Sequence, residues 1–431
     1  MLKNFRSSFP ILGLIIWSLA ALFFLYEFFL RTFVGSVANQ VIPDLNLNAE
    51  TFSIIGSAYY IAYGAMQVPV GILADKFGVK RIMIFATLLC AGSTFLFAHA
   101  TGFYTAFLSR LLMGFGSSFA FICLLVVAVT WFPRKNFAFF AGSSQFIGTM
   151  GPLLAGGPFI ALMARFHTTW RVALSAIGIA GVILTILTIL IVKNKPRDAE
   201  TTLIYLKQEA TLSDRLRRLV QNNQAWLVAA YSATVYISLA LLGAIWGTAY
   251  LQALGFSQKT AAYIVSFAWL GNAVGCPLLG AISDTIKRRK PLLIFCGLLG
   301  LFTTIGIVYL PIAHLSWVYG LLFFCLGMAA AGQNIGFAAI SEHVDLATRA
   351  TALGLNNGSM TLFAAIIPPI VSYFIFLSAR GNDHHLQYHN FVLGFSIMPI
   401  LYISSVILAL FFIKETYCRP QKEMIILKVK P

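Results

Sequence analysis

The sequence predicts an all-α, polytopic membrane protein with twelve transmembrane helices in two six-helix halves. Of its 431 residues, 59% are hydrophobic and only 10% are charged, and the mean hydropathy is +0.84. A soluble protein of this length needs far more polar surface. Twelve apolar runs are long enough to cross about 30 Å of hydrocarbon. A loop motif behind the second run returns after the eighth, which predicts an internal repeat.

The predicted helices are separated by short polar segments, with one longer break near the middle. They lie at residues 11–37, 51–74, 82–100, 104–132, 137–163, 168–192, 226–252, 260–282, 291–311, 316–340, 350–377 and 391–413. The break at 194–225 separates an N-terminal half (1–193) from a C-terminal half (226–414), and a tail (415–431) follows. Leucine recurs in the break at near-helical spacing, which predicts a partly amphipathic cytoplasmic linker, although a solvated linker explains the composition nearly as well.

Basic residues fall mainly on one side of the predicted membrane. If both termini are cytoplasmic, 24 of the 30 Lys and Arg residues lie on the inner side, four on the outer side and two within spans. This bias predicts cytoplasmic termini, and we expect a bacterial inner membrane because no eukaryotic sorting tail is evident. The net charge of +16 forms no basic face, which argues against a nucleic-acid partner. Anionic lipid headgroups are the expected partners of these basic residues.

The repeated loop consists of a Gly, a carboxylate four residues later and then a basic cluster. It reads Gly71-Ile-Leu-Ala-Asp75-Lys76-Phe-Gly78-Val-Lys80-Arg81 in the first half, and Gly280-Ala-Ile-Ser-Asp284 followed by Lys287-Arg288-Arg289-Lys290 in the second. This pattern resembles the loop between helices two and three of major facilitator superfamily transporters. The resemblance implies two parallel halves with the substrate between them near the bilayer midplane. Such a loop can latch the halves in one state, so we predict gating roles for Gly71, Asp75, Lys76, Gly78, Lys80, Arg81, Gly280 and Asp284.

Glu27 and Arg31 are the most unusual residues because both lie inside the first predicted span, four residues apart on one helix face. A charge at this depth costs about 2.5–3.5 kcal/mol or more, so such residues normally face a cavity or each other and mark a pathway. An internal ion pair that only neutralises both charges is the alternative. We predict that Arg31 binds an anionic group of the substrate with its planar donors and that Glu27 exchanges a proton.

A second buried arginine, Arg110, lies in the fourth span in Arg110-Leu-Leu-Met113-Gly114-Phe-Gly116. This segment resembles the superfamily's Arg-x-x-Gln-Gly-x-Gly signature, with Met113 in place of the Gln. The resemblance implies a role for Arg110 in proton coupling. An arginine that satisfies buried helix carbonyls, beside glycines that allow close packing, is an equally good interpretation.

Polar and aromatic residues within the spans are the remaining candidates for the substrate site. Interhelical hydrogen bonds and interfacial aromatic belts are the alternative roles for such residues. With Arg31, the predicted substrate-binding set is Tyr26, Tyr59, Tyr63, Gln145, Trp246, Asn272, Asn334 and Asn356.

These features predict a secondary active transporter of a small, carboxylate-bearing solute that works by alternating access and proton symport. The Tyr26–Arg31 and Tyr63–Gly71 stretches resemble bacterial carriers of organic anions, amino acids and peptides, and the related lysosomal dipeptide branch. The alternatives are an exporter of siderophores or drug-like compounds and, more remotely, an integral membrane enzyme. The histidines and cysteines have no ligand or nucleophile spacing, so we expect no metal, no cofactor and no enzymatic activity. We expect a monomer.

Overall fold

The computed structural model describes residues 11–67, 69–70, 73, 77–132, 137–193, 212–311, 315–345, 348–379 and 386–419. Within these ranges the chain is helical and contains no strand. The polar groups of a backbone inside a bilayer must be satisfied internally, and helices achieve this within one segment.

The helices follow one another with short connections. The first part contains α1 (Ile11–Ser36), α2 (Ala38–Asp44), α3 (Ala49–Ala65), α4 (Val79–Ala98), α5 (Phe103–Ser117), α6 (Phe119–Trp131), α7 (Phe137–Ala155), α8 (Gly157–Arg165) and α9 (Trp170–Ile191). The second contains α10 (Leu212–Val220), α11 (Asn223–Ser238), a π-helical segment (Leu239–Ile245), α12 (Gly247–Ala253), α13 (Gln258–Ile286), α14 (Lys290–Tyr309), α15 (Ser316–Ala330), α16 (Gly332–Glu342), α17 (Arg349–Ser378), α18 (Tyr388–Phe395), α19 (Ile397–Ile407) and a second π-helical segment (Leu408–Phe412).

Ten stretches of described helix are long and apolar enough to cross a membrane, and the bent pair Ser143–Ala155 and Gly157–Arg165 makes an eleventh. The remaining predicted span, 51–74, coincides with α3, whose described helix has 17 residues. At about 1.5 Å per residue this length covers about 25 Å, less than the hydrocarbon core. The structure is therefore the polytopic all-α architecture that the hydropathy pattern predicts.

Local signals in the sequence set several helix boundaries. Asn48 accepts a hydrogen bond from the backbone N–H of Thr51, whose hydroxyl accepts one from the N–H of Asn48, so α3 begins with a reciprocal cap. The chain bends by 47° between α7 and α8. At this bend a side chain on Gly156 would overlap the hydroxyl of Ser266, so close approach to α13 requires glycine.

Helices from the two parts of the chain pack against each other along three lines. The first joins α3 to α17, the second joins α1 to the π-helical segment Leu239–Ile245, and the third joins α7 and α8 to α13. At the second line a Cβ on Gly35 would overlap the carbonyl oxygen of Ala244. These contacts enclose the middle of α1 and leave its charged residues without access to bulk solvent.

A short helix, α10, opens the second part, before its first membrane-crossing helix. Arg218 on this helix forms an ion pair with Asp345, with 3.1 Å between Nη1 and Oδ2. Leu219 is buried while Arg217 and Arg218 are exposed, so the helix has one apolar and one basic face. Residues 194–211 of the predicted linker lie outside the described residues.

Candidate functional site

Glu27 and Arg31 form an ion pair inside the first span, in the second half of α1. Nη2 of Arg31 donates to both carboxylate oxygens of Glu27, at 3.1 and 3.2 Å. The Glu27 residue is 0% exposed and Arg31 is 7% exposed, so water screens the pair little. A helix places residues four apart on one face, which explains why the two side chains meet.

Two tyrosines of α3 extend this ion pair into a buried cluster. The hydroxyl of Tyr59 donates to Oε2 of Glu27 at 2.7 Å, and the Tyr59 ring stacks on Tyr63 at a centroid distance of 6.1 Å. The Arg31 guanidinium carbon lies 4.5 Å from the centroid of Tyr63 and 4.2 Å from that of Phe28. We refer to Glu27, Phe28, Arg31, Tyr59 and Tyr63 as the α1–α3 cluster.

One donor of this cluster is unused. In the described part of the chain, the buried Nε of Arg31 has no hydrogen-bond partner. A buried N–H without an acceptor costs about 1–3 kcal/mol. The rings of Phe28 and Tyr63 contact the guanidinium, and neither offers this N–H a hydrogen-bond acceptor.

Arg110 lies next to the cluster but contacts backbone rather than a carboxylate. Its guanidinium donates to the carbonyl oxygens of Leu30 and Arg31, the latter at 3.2 Å, and its Cζ lies 4.7 Å from the Tyr59 ring. Gly114 lies one turn further along, where a Cβ would overlap the carbonyl oxygen of Tyr59. Arg110 and Gly114 therefore hold α5 tightly against α1 and α3, and the direct contacts of Arg110 are those of an arginine that satisfies helix carbonyls.

Asn356, on α17, is another buried group with unused hydrogen-bonding capacity in the described part of the chain. The residue is 0% exposed, and neither its Oδ1 nor its Nδ2 has a partner among the described residues. Its neighbour Asn357 donates to Oε1 of Gln67 at 2.6 Å, and Nε2 of Gln67 donates to the carbonyl oxygen of Tyr63 at 3.2 Å. These hydrogen bonds connect α17 to the end of α3 that carries Tyr63.

The structure does not bring all the other predicted substrate residues to the cluster. The hydroxyl of Tyr26 pairs with Thr94 on α4 and lies against Gly181 on α9. Nδ2 of Asn272 donates to the Gly327 carbonyl oxygen at 3.4 Å, in the contact between α13 and α15. These two side chains have partners that belong to helix packing.

Trp246 connects three segments of the chain. Its indole N–H donates to the hydroxyl oxygens of Ser53 and Ser372, both at 3.0 Å, and the two serines hydrogen-bond each other. The half-buried Gln145 lies on α7 and the half-buried Asn334 on α16.

The loop residues predicted to form a gate are only partly described. Gly71, Asp75 and Lys76 lie outside the described residues. Gly78 precedes α4 with φ of 77°, a conformation that favours glycine, and is followed by Lys80 and Arg81 in the first turn. In the second copy, Gly280 has open space around its α-carbon, and Oδ1 of Asp284 accepts a hydrogen bond from Arg289 at 2.6 Å.

Arg289 organises a polar network at this end of the bundle. Its Nη2 lies 2.8 Å from Oε1 of Glu342, which follows the predicted span 316–340. Burial alone would lower the pKa of Arg289, but hydrogen bonds to Glu342 and Asp284 raise it above its usual range. Thr416 donates to the second carboxylate oxygen of Glu342 at 2.5 Å. We call Asp284, Arg289, Glu342, Glu415 and Thr416 the α13–α16 network.

Glu415 connects the chain after the last span to the same network. Its carboxylate accepts hydrogen bonds from the backbone N–H groups of Arg289 and Lys290, at 2.8 and 3.0 Å. The negative charge thus caps the N-terminus of α14, where the helix dipole favours an anion. The sequence alone did not identify Glu342, Glu415 and Thr416. Each lies just beyond a predicted span, where polar and charged residues are common and do not by themselves indicate a function.

The described residues include no group of three or more His, Cys, Asp or Glu side chains placed to hold a metal ion. The chemistry of the α1–α3 cluster is that of a cation with one free donor beside a carboxylate that accepts from two partners. Such a cluster can bind an anionic group and retain or release one proton.

Comparison with known proteins places this architecture in a family. The family model described as Major Facilitator Superfamily matches residues 19–368. The chain belongs to this superfamily. The unpaired Arg31 donor and the buried carboxylate therefore lie inside a membrane transporter of small molecules, a multi-pass protein and not an enzyme.

Superfamily members that resemble the chain in sequence include bacterial transporters. The chain is 24% identical over 329 residues to the hexuronate transporter of Bacillus subtilis, covering 70% of this chain and 77% of that protein. It is 25% identical over 391 residues to the "Probable galactarate/D-glucarate transporter" of the same species, covering 82% and 83%. It is 25% identical over 295 residues to the "Probable sulfoacetate transporter" of Cupriavidus necator, covering 63% of this chain and 66% of that protein.

Solved structures of low sequence identity share the fold. A bacterial homologue of the human lysosomal transporter Spinster, in an inward-facing and unoccupied conformation, superposes with a TM-score of 0.72 at 14% identity. This match covers 93% of the chain and 96% of that protein. The nucleoside transporter NupG superposes with a TM-score of 0.71 at 15% identity, covering 93% and 100%.

Proposed function

We propose that this transporter carries a small carboxylate-bearing organic anion across a bacterial inner membrane by alternating access, coupled to protons. The observation that carries the proposal is the buried α1–α3 cluster, in which the Nε of Arg31, beside the carboxylate of Glu27, has no acceptor among the described residues. Organic anions are also named for three relatives, as hexuronate, galactarate or D-glucarate, and sulfoacetate. We place both chain termini on the cytoplasmic side and expect a monomer.

Arg31 is the proposed anchor for the substrate carboxylate. Its guanidinium is planar, and the rings of Phe28 and Tyr63 fix its orientation. A carboxylate that accepts from Nε would satisfy the donor that now has no partner. Asn356 on α17 is the proposed second contact, since its unpaired amide can both donate to and accept from hydroxyl groups of a sugar acid. Contacts from α1 and α17 would make binding depend on both parts of the chain.

Glu27 is the proposed proton carrier. Burial favours the neutral carboxyl, while Arg31 and the Tyr59 hydroxyl favour the carboxylate, so the proton affinity of Glu27 depends on what Arg31 contacts. A substrate anion on Arg31 diverts the cation from Glu27 and promotes protonation of the Glu27 carboxylate. By linkage, protonation of Glu27 then strengthens substrate binding to the same extent.

The proposal is tested with Glu27→Gln, which mimics the protonated side chain. A thermal-shift screen of sugar acids and sulfonates against the purified protein first identifies a ligand, because a ligand stabilises the state that it binds. In proteoliposomes the variant should still bind this ligand and exchange it at equal pH. It should fail to accumulate the ligand when a pH gradient is imposed.

Glu50→Gln is the matched control, because Glu50 lies in the first turn of α3 and away from the cluster. This variant should accumulate substrate as the wild type does. Accumulation at the wild-type level in Glu27→Gln would contradict the role of Glu27. A screen in which no organic anion stabilises the protein, while neutral or cationic solutes do, would contradict the proposed substrate class.

A further inference from the structure

A cavity of about 330 Å³ lies beside the α13–α16 network, at the end of the bundle predicted to be cytoplasmic. Its lining comprises the last residue of α13, two residues of the α13–α14 connection and two residues that follow the last span. They are Ile286, Lys287, Arg288, Tyr417 and Arg419. Three of these five side chains carry a positive charge and none carries a negative one.

The three cations are not neutralised within the described part of the chain. Lys287, Arg288 and Arg419 are exposed, and none of them takes part in an ion pair among the described residues. The neighbouring carboxylates are already engaged, because Asp284 and Glu342 bind Arg289 while Glu415 caps α14. The cavity is therefore electropositive, and bringing three like charges together is unfavourable unless an anion compensates them.

The backbone that forms this cavity is fixed rather than extended into solvent. The Cys418 thiol donates to the Ser283 carbonyl oxygen at 3.7 Å, and the neighbouring Glu415 and Thr416 contacts hold the same segment against α13 and α14. Lys287, Tyr417 and Cys418 all have positive φ, at 53°, 52° and 56°. Non-glycine residues in this region carry a conformational cost of about 1 kcal/mol or more each, and such positions cluster at binding sites.

An apolar stripe leads from the cavity along the outside of the bundle. Leu278, Ile282 and Ile286 are 46%, 40% and 45% exposed and are spaced four residues apart, so they form one face of α13. This face of a membrane-spanning helix is available to lipid acyl chains. A phospholipid whose acyl chain packs along this stripe would therefore place its headgroup at the cavity.

We propose that this cavity is a binding site for the phosphate of an anionic phospholipid, with one acyl chain along Leu278, Ile282 and Ile286. Lys287, Arg288 and Arg419 provide the charges for the phosphate, and Tyr417 lies at the interface depth that suits its amphipathic ring. Free phosphate carries the same charged group but has no acyl chain that could pack against the stripe. The position of the stripe therefore favours the lipid.

The test compares lipid binding by the full-length protein and two charge variants in neutral detergent. The probes are phosphatidylglycerol, phosphatidylcholine and inorganic phosphate, titrated at fixed ionic strength and followed by native mass spectrometry and thermal shift. We expect the wild type to bind phosphatidylglycerol in preference to phosphatidylcholine. Lys287→Gln/Arg288→Gln/Arg419→Gln should bind it about 100-fold more weakly, since each basic residue near a lipid surface contributes about 1 kcal/mol.

The matched control removes the same number of charges elsewhere. Arg165, Lys193 and Lys259 are exposed and lie away from the cavity, so Arg165→Gln/Lys193→Gln/Lys259→Gln should bind phosphatidylglycerol as the wild type does. Equal weakening in both triple variants would show a general effect of net charge and overturn the site. Unchanged binding in the cavity variant would also overturn it.

The stripe is tested separately with Leu278→Ser/Ile282→Ser, which alters only exposed side chains. This variant should bind phosphatidylglycerol at least tenfold more weakly and retain the thermal midpoint of the wild type without lipid. If inorganic phosphate stabilises the wild type as well as the lipid does, and the stripe variant binds both unchanged, the cavity is an anion site and the lipid proposal fails.

Discussion

The α1–α3 cluster and the α13–α16 network are both built on an arginine and a buried carboxylate, yet they differ in position and in how fully they are satisfied. The first lies inside a span and leaves the Nε of Arg31 without a partner among the described residues. The second lies at the helix ends, where Arg289 contacts Asp284, Glu342 and Ser283. A donor without a partner inside a span is expected at a ligand-binding site. A network in which each charged group has a partner is expected where it stabilises the fold.

The largest expected effect is a loss of substrate affinity when the α1–α3 cluster is altered. Arg31→Lys keeps the charge but replaces the planar donors by an ammonium group. Because a hydrogen bond to a charged group contributes about 1.5–3 kcal/mol, loss of the one from Nε should lower affinity by about 10- to 150-fold. The measurement is the dissociation constant of the ligand identified by the thermal-shift screen. An unchanged dissociation constant would show that Arg31 has a structural role, as Arg289 does, and does not bind the substrate.

Arg289→Gln should show the opposite pattern, with a loss of stability and little change in substrate affinity. It removes the partner of Glu342, whose side chain is 11% exposed, and leaves a carboxylate poorly compensated. The expected loss is about 3 kcal/mol in the free energy of unfolding. Unfolding in lipid and ligand titration on the same preparation separate the two readouts. A fall in affinity as large as the fall in stability would show that the α13–α16 network is not remote from the substrate.

Asn356→Ala tests the role of the buried amide on α17, inside the membrane-spanning helices. Since neither amide atom has a partner among the described residues, removing them should not destabilise the fold, while affinity for a hydroxylated substrate should fall about tenfold.

Asn272→Ala is the control for this change, because the Asn272 amide donates to Gly327 within the α13–α15 contact. This variant should lose about 1 kcal/mol of stability and retain affinity. If the effects of the two alanine variants were exchanged, the unpaired amide would not mark the binding site.

The smallest effect concerns pH and His343, which follows α16. Burial lowers the pKa of His343, although a backbone hydrogen bond at Lys414 and the nearby Glu342 and Glu415 act in the opposite direction. As the pH falls below about 6.5, the unfolded chain takes up a proton that the folded imidazole resists, so folding stability falls.

His343→Gln should remove this part of the acid destabilisation while leaving stability above pH 7 nearly unchanged. His99→Gln, at an exposed position, is the control and should keep the wild-type profile. Thermal midpoints between pH 5 and 8 provide the measurement. An identical slope in the wild type and in His343→Gln would show that this histidine does not contribute.

The membrane fold could be predicted because hydropathy and the repeated loop are properties of the sequence itself. Glu27 and Arg31 could also be found, since charges inside a span are rare and their spacing fixes a common helix face. Partners from distant segments could not be predicted in this way. Asn272 and Asn356 are both polar residues within spans, and only the packing shows that, among the described residues, one amide has a partner and the other has none.

The contacts of Trp246 have a consequence for the transport cycle. Its indole N–H and the hydroxyls of Ser53 and Ser372 satisfy one another between α3, α17 and the chain that follows the π-helical segment. If these segments separated in a dry environment, the indole N–H would lose both acceptors and Ser53 would lose its hydroxyl partner, at a cost of about 1–3 kcal/mol for each unsatisfied group, whereas Ser372 would keep its hydrogen bond to the Pro368 carbonyl oxygen. Water entering the gap would replace those partners. This end of the bundle should therefore open only as it becomes hydrated, so that solvent acts as a component of the gate.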